Sequence, residues 1–249
     1  MHLLRMLIEI RCSVILHIMT ICMLFCVTCG NTKKRPATTW DLMARKAMVQ
    51  EQIIGRGITD TNVVEALSIV KRHRFVPEAL ERFAYQDSPL PIGEGQTISQ
   101  PYVVALMTEK LRLEHDDVVL EVGTGSGYQA AVLACIAQEV YTIEIIPSLA
   151  THAAARLAEY GYNNIHVRCG DGFVGWPEHA PFDAIIITCA PAEVPQPLIE
   201  QLAVGGRLIV PLGEEMQMLT LFHKTEAGLE QEEIVPVRFV PMKGLIEKR

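Results

Sequence analysis

Three acids, each at the carboxyl end of an apolar run, are the residues best placed to do chemistry. Glu121 stands two positions before Gly123 in the stretch L-E-V-G-T-G-S-G-Y, Leu120–Tyr128. Glu144 closes the next apolar run, and Asp171 sits in the Gly-Asp-Gly turn after the third. If those runs are neighbouring parallel strands, their carboxyl ends share one edge of a sheet, which is where α/β folds bind ligands. Gly123, Gly125 and Gly127 allow a tight turn and a close approach of ligand to backbone. The spacing is G-x-G-x-G, and Tyr128 stands where the dinucleotide fingerprint has its third glycine. Taken singly, each feature has an ordinary structural use: a strand-end carboxylate, a turn-forming Asp, a strand-to-helix connection. Their conjunction at one edge points to a ligand.

The sign of the charge narrows the choice. An acid before the loop is a poor neighbour for a pyrophosphate and a good one for a cation. S-adenosylmethionine carries an ammonium and a sulfonium and no phosphate, so the electrostatics favour it over NAD. In that reading Glu144 accepts hydrogen bonds from ribose hydroxyls and Asp171 meets an adenine amino group, with Ile145 and Gly172 beside them. A metal is not expected. Cys135, Cys169 and Cys189 are far apart, and the histidines form no i, i+4 pair. Cys22, Cys26 and Cys29 have an iron–sulfur-type spacing but lie in an uncharged apolar run, where Cys serves as a small hydrophobe.

The elements that must position these acids follow from hydrophobic patterning. Helices are expected over Asp41–Ile54 and after Asp60, which can cap a run with Val63, Val64, Leu67 and Val70 at helical spacing. Ser88–Pro101, rich in Gly and Pro, reads as a loop. Strands and helices then alternate: Val118–Val122, Gln129–Ala137, Val140–Ile145, Ser148–Tyr160, Ile165–Cys169, Phe182–Thr188, Pro197–Leu202 and Gly206–Pro211. The continuous runs VVLEV, DAIIIT and RLIVPL indicate strands covered on both faces. Met218–Lys224 and Ile234–Val240 follow without helices. The fold class is therefore α/β: a doubly wound, Rossmann-like, mostly parallel sheet with antiparallel C-terminal edge strands, preceded by N-terminal helices at about 41–101.

Charge and hydropathy divide the 249-residue chain, net charge −7, into an extension (1–35) and a body (36–249). The extension carries +4, leaving the body at −11. So acidic a body is a poor match for a phosphate backbone, and no nucleic-acid partner is expected. Residues 12–29 form an uncharged run of eighteen, long enough for a membrane anchor or the apolar core of a signal peptide. Positive charge is denser after the run (Lys33, Lys34, Arg35, Arg45, Lys46) than before it, which favours a cytoplasmic body with possible membrane association; export is the alternative. The cluster Lys71–Arg74 reads as a solvated face, or as an attractor of acidic peptides.

Over roughly Leu42–Gly244, the combination of QTISQP, EVGTGSGYQ, GDG, FDAIIIT and RFVPM resembles the protein-L-isoaspartate O-methyltransferases. QTISQP, residues 96–101, is the most specific of these motifs. The resemblance implies methyl transfer from S-adenosylmethionine to the α-carboxylate of L-isoaspartyl residues in damaged proteins and peptides, followed by closure of the ester to a succinimide. It implies Ser99 as the active-site residue, backbone around Thr97 and Ile98 against the cofactor, and a strand ending at Val240-Pro241 at the substrate cleft. Other readings remain: a methyltransferase for another carboxylate or for RNA, a module that binds S-adenosylmethionine without turnover, and an NAD-dependent oxidoreductase. Against a covalent role, Ser99 has no His/Asp pairing in sequence and no G-x-S-x-G. Its hydroxyl is expected to orient the substrate carboxylate, or merely to cap the helix at Pro101.

Overall fold

The computed structural model describes residues 39–248; the apolar run 12–29 and its extension lie outside them. The body is built on a seven-stranded sheet. The strands of its parallel part are β3 (Val118–Val122), β4 (Glu139–Glu144), β5 (Ile165–Cys169), β6 (Phe182–Ile187) and β7 (Leu202–Leu212). Two antiparallel strands, β8 (Gln217–Thr225) and β9 (Gly228–Val237), extend it, and the order is β5-β4-β3-β6-β7-β8-β9. The chain winds outward from β3 to β5, then returns to the other side of β3 with β6. That reversal puts a crevice at the carboxyl end of β3.

The period-two alternation of strands divides the core between two faces. On one face Val119, Val140, Ala184, Ile186 and Ile209 pack with the N-terminal helices; on the other, Leu120, Val122, Ile143, Ile185 and Leu208 pack with Leu198 and Phe173. The first of these faces receives α1 (Thr39–Ala47), α2 (Thr61–Ile69), α3 (Pro101–Leu111) and α4 (Tyr128–Leu133), so the N-terminal helices share a core with the sheet. The chain is completed by α5 (Pro147–Glu159) and α6 (Gln196–Gln201). Local chemistry sets several boundaries. The Asp60 carboxylate caps α2 by accepting from the amides of Asn62 (2.8 Å) and Val63 (3.3 Å). Proline occupies the first turn of α3, α5 and α6.

Four expectations need correction. The first helix is α only to Ala47; Met48–Ile53 is a π-helical turn and Ile54–Arg56 a 3₁₀ turn. The stretch read as a loop contains a hairpin, β1 (Leu90–Gly93) against β2 (Gln96–Ile98), closed by Gly93-Glu94-Gly95, all with positive φ. Composition concealed it because the glycines belong to the turn and Pro91 sits on a strand with a free edge. The last strand ends at Val237, so Val240 and Pro241 lie beyond it, tied to the body by an isolated parallel bridge between Pro241 and Ala190. The basic cluster is also not a solvated face: Arg72 is fully buried and His73 nearly so, within the 3₁₀ turn Arg72–Phe75. Among the described residues no helix is long and apolar enough to cross a membrane.

Candidate active site

A cavity open to solvent, about 830 Å³ counted with the solvent at its mouth, occupies the crevice at the carboxyl end of β3. Its floor is the loop that leaves that strand. Gly123 has φ +103°, and a Cβ added there would come 2.5 Å from Thr188 Oγ1, so backbone alone fits. Thr188, just past β6, fixes this corner: its hydroxyl lies 2.7 Å from the Gly123 carbonyl and 3.1 Å from that of Val122. Next along the loop, the Gly125 amide donates to Glu144 Oε2 at 2.8 Å, while Glu144 Oε1 accepts from the Ile146 amide at 3.0 Å. Glu144 therefore joins the tips of β3 and β4 while presenting its carboxylate to the cavity that it lines with Ile145.

The other two acids stand behind the lining. Glu121 is fully buried, and Thr142 donates to its Oε2 at 2.5 Å. Thr142 Oγ1 is in turn 2.6 Å from Thr124 Oγ1, and Thr124 lines the cavity. Glu121 thus reaches the ligand space through two hydroxyls. Burial, with the charge of Glu144 adding and the Thr142 hydrogen bond opposing, lifts its carboxyl to about 8. Among the described residues its Oε1 has no hydrogen-bond partner, an orphaned buried polar atom. Asp171 accepts from the Phe173 amide (2.9 Å) through Oδ1 and from the Leu245 amide (2.7 Å) through Oδ2, fastening the C-terminal segment. Its neighbour Gly172 does line the cavity, with Val122 packed where a Cβ would stand.

The roof comes from two segments. The β1–β2 hairpin and the turn into α3 bring Gln96, Thr97, Ile98 and Ser99 to the cavity; beyond the sheet, Val240, Pro241, Met242 and Lys243 face them. Ser99 does not cap α3, whose cap position is Gln100 and carries no side-chain cap bond. Among the described residues its hydroxyl has no hydrogen-bond partner, which leaves it available to a substrate. Of the sequence-derived candidates, Thr97, Ile98, Ser99, Gly123, Gly125, Glu144, Ile145, Gly172, Val240 and Pro241 meet on this cavity. Glu121, Gly127 and Asp171 do not; Gly127, at φ +88°, opens α4 against Leu157.

Several lining residues escaped the sequence reading, among them Thr124, Thr188, Cys189 and Lys243. Thr188 had a signal, since it follows the fourth parallel strand at the ligand-binding edge. Cys189 had none; burial pushes its thiol up to about 12, so it is an inert wall.

The residues present suit a small cationic nucleoside. The lining offers backbone at Gly123 and Gly125, one carboxylate at Glu144, hydroxyls at Thr124 and Thr188, and apolar walls at Val122, Ile143 and Ile146. Comparison with known proteins gives a consistent picture. The family model described as "Protein-L-isoaspartate(D-aspartate) O-methyltransferase" matches residues 43–247. A protein-L-isoaspartate O-methyltransferase of Picosynechococcus sp. is 56% identical over 200 residues, 80% of this chain and 90% of that one. One from Nitrosospira multiformis is 57% identical over 205 residues, 80% and 87% of the two chains. A solved structure of the same name superposes with TM-score 0.74 at 29% identity, covering 81% of this chain and 67% of that one. A Plasmodium falciparum chain, solved with S-adenosyl-L-homocysteine and described as a β-aspartate methyltransferase, superposes at 0.71 and 26% identity, covering 80% and 98%.

Proposed function

The chain belongs to the protein-L-isoaspartate(D-aspartate) O-methyltransferase family, and on that premise we propose how its own residues carry out the methylation of L-isoaspartyl α-carboxylates that starts their repair. The observation behind this reading is convergence. Ser99 from the hairpin side, the Gly123–Gly125 loop from β3 and Val240-Pro241 from the C-terminal segment meet on one cavity although they are distant in sequence.

S-adenosyl-L-methionine, when bound, supplies a methyl group activated by a sulfonium. The residues that would hold it are the backbone of Gly123 and Gly125, the carboxylate of Glu144 with Ile145, Gly172, and the segment Thr97–Ile98. Glu121 acts on the same space through Thr142 and Thr124, and Asp171 by fixing Gly172 and the C-terminal segment. On the substrate side, Ser99 donates its hydroxyl hydrogen to one oxygen of the carboxylate, and Val240 and Pro241 confine the adjoining chain. A carboxylate is already ionised at neutral pH and needs no general base. The protein's task is alignment and exclusion of water, which in favourable cases supplies about 7–11 kcal/mol. The partners are isoaspartyl proteins and peptides. The charge that follows residues 12–29 supports a cytoplasmic body.

The test pairs two substrates and two enzymes. The full chain, given radiolabelled cofactor and matched Asp and isoAsp peptides, is expected to form base-labile methyl ester on the isoAsp member alone. Ser99→Ala should lower turnover by about 10–100-fold, the value of one hydrogen bond to a charged group, with cofactor affinity within about twofold of the parent. Equal loss of turnover and cofactor binding would remove Ser99 from the substrate side.

A further inference from the structure

Residues 240–243 form a strap along the cavity, held from both ends. The amide of Ala190 donates to the Val240 carbonyl (2.8 Å) and the amide of Met242 to the Ala190 carbonyl (2.9 Å). Met242 is turned into the core, 5% exposed. On the far side, the Leu245 amide donates to Asp171 Oδ2 at 2.7 Å. Gly244 between them has φ +107°, and the Asp171 carboxylate stands where its Cβ would be. Lys243 lies between these anchors, exposed and on the cavity lining. Its backbone is fixed while its four-carbon stem is free to sweep the mouth.

Among the described residues Lys243 is the only Lys or Arg side chain on that lining, and it makes no ion pair with them. The other charged lining residue is Glu144, and the chain as a whole is acidic, net −7. An anionic peptide approaching Ser99 therefore meets a field of its own sign except at this one ammonium. Resting on the substrate reading above, we propose that Lys243 is a specificity-determining residue, pairing with acidic side chains that flank the isoaspartyl site. Exposure at the mouth suits flanking carboxylates, which stay in solvent, better than the reacting one. A single pair of unit charges about 4 Å apart in water is worth about fivefold in an equilibrium constant. Selectivity of that order is expected, carried in KM.

The experiment measures methylation of three isoaspartyl peptides, with Glu, Ser or Lys flanks, by the full chain and by Lys243→Met, Lys243→Glu and Lys243→Arg. The parent should prefer Glu over Lys flanks by about fivefold or more in kcat/KM, with kcat within about twofold, and the preference should shrink as salt is raised. Lys243→Met should abolish it, Lys243→Glu reverse it and Lys243→Arg keep it, all with unchanged cofactor affinity by calorimetry. An unchanged preference in Lys243→Met would overturn the proposal. So would a loss of cofactor affinity equal to the rise in KM, which would assign the ammonium to the cofactor's own carboxylate. If the unsubstituted chain methylates none of the peptides, the substrate reading itself falls and carries this proposal with it.

Discussion

At the scale of single residues, Glu121 couples the protonation of the fold to the charge of its ligand. Its carboxyl is fully buried beside the charge of Glu144 and is opposed only by the hydrogen bond from Thr142, so it holds its proton to about 8, against 4.5 for an ordinary glutamate. Below 4.5 both folded and unfolded chains are protonated here and the group is neutral in its effect on stability. Between 4.5 and 8 the unfolded chain gives up the proton while the folded one keeps it, so stability falls as pH rises; above 8 the loss is complete. Glu121→Gln should therefore match the parent in Tm near pH 5 and exceed it increasingly toward pH 9, followed by thermal unfolding without cofactor. The same variant loses the anion that a cation would draw out through Thr142 and Thr124. Its affinity for S-adenosylmethionine should drop by about tenfold at pH 8 and less at pH 6. A parallel pH dependence of Tm in both proteins would refute the assignment. The position of Glu121 at a strand tip was legible in sequence, but its direction was read only in part. Period two places it with Val119, on the helix-covered face, while Val122 turns to the cavity. The direction of Asp171 was less accessible still, since one of its two partners, the Leu245 amide, lies 74 residues away.

At the scale of elements, the cavity is a joint between parts with different sequence signals. The parallel strands were legible because buried strands are continuous apolar runs, and β3, β4, β5 and β6 lie within a residue or so of their expected limits. The hairpin and the strap were not. Each is short, interrupted by proline, and stabilised by contacts with the body more than by a pattern of its own. The strap makes this testable. Gly244→Ala must place a methyl group against the Asp171 carboxylate, 2.7 Å from its Cγ, at a φ that costs about 1–3 kcal/mol for a residue with a side chain. The Leu245–Asp171 hydrogen bond should open and the strap lift. Hydrogen exchange is expected to quicken over Met242–Leu245 and not in β3 or β4, and KM for an isoaspartyl peptide should rise several-fold. Exchange unchanged in that segment would mean that the body holds the strap without the Asp171 latch.

At the scale of the molecule, the N-terminal helices and the sheet have to share one core for the hairpin to reach the cavity, and Arg72 lies at that junction. The four basic residues at 71–74 misled the sequence reading because a charge run is ordinarily solvated, yet Arg72 is fully buried beside Tyr128 and Tyr85. Its Nε donates to the Ala84 carbonyl at 2.7 Å, its guanidinium carbon is 4.9 Å from the Tyr128 ring centroid, and among the described residues its Nη atoms make no well-formed hydrogen bond, with Tyr128 close by. Burial pulls its pKa down to about 10, so it stays charged at neutral pH at a desolvation cost that one carbonyl only partly offsets. Volume and charge therefore act in opposite directions here. Arg72→Ala empties a fully buried site and should cost about 2–5 kcal/mol. Arg72→Met keeps most of the volume and removes the charge, so it should lie within about 1 kcal/mol of the parent in urea unfolding and retain cofactor binding. Because Tyr128 lines the cavity, Arg72→Ala should also weaken cofactor affinity. Equal destabilisation by Ala and Met would show that the guanidinium itself, through its hydrogen bond and its contact with Tyr128, holds the helices to the sheet.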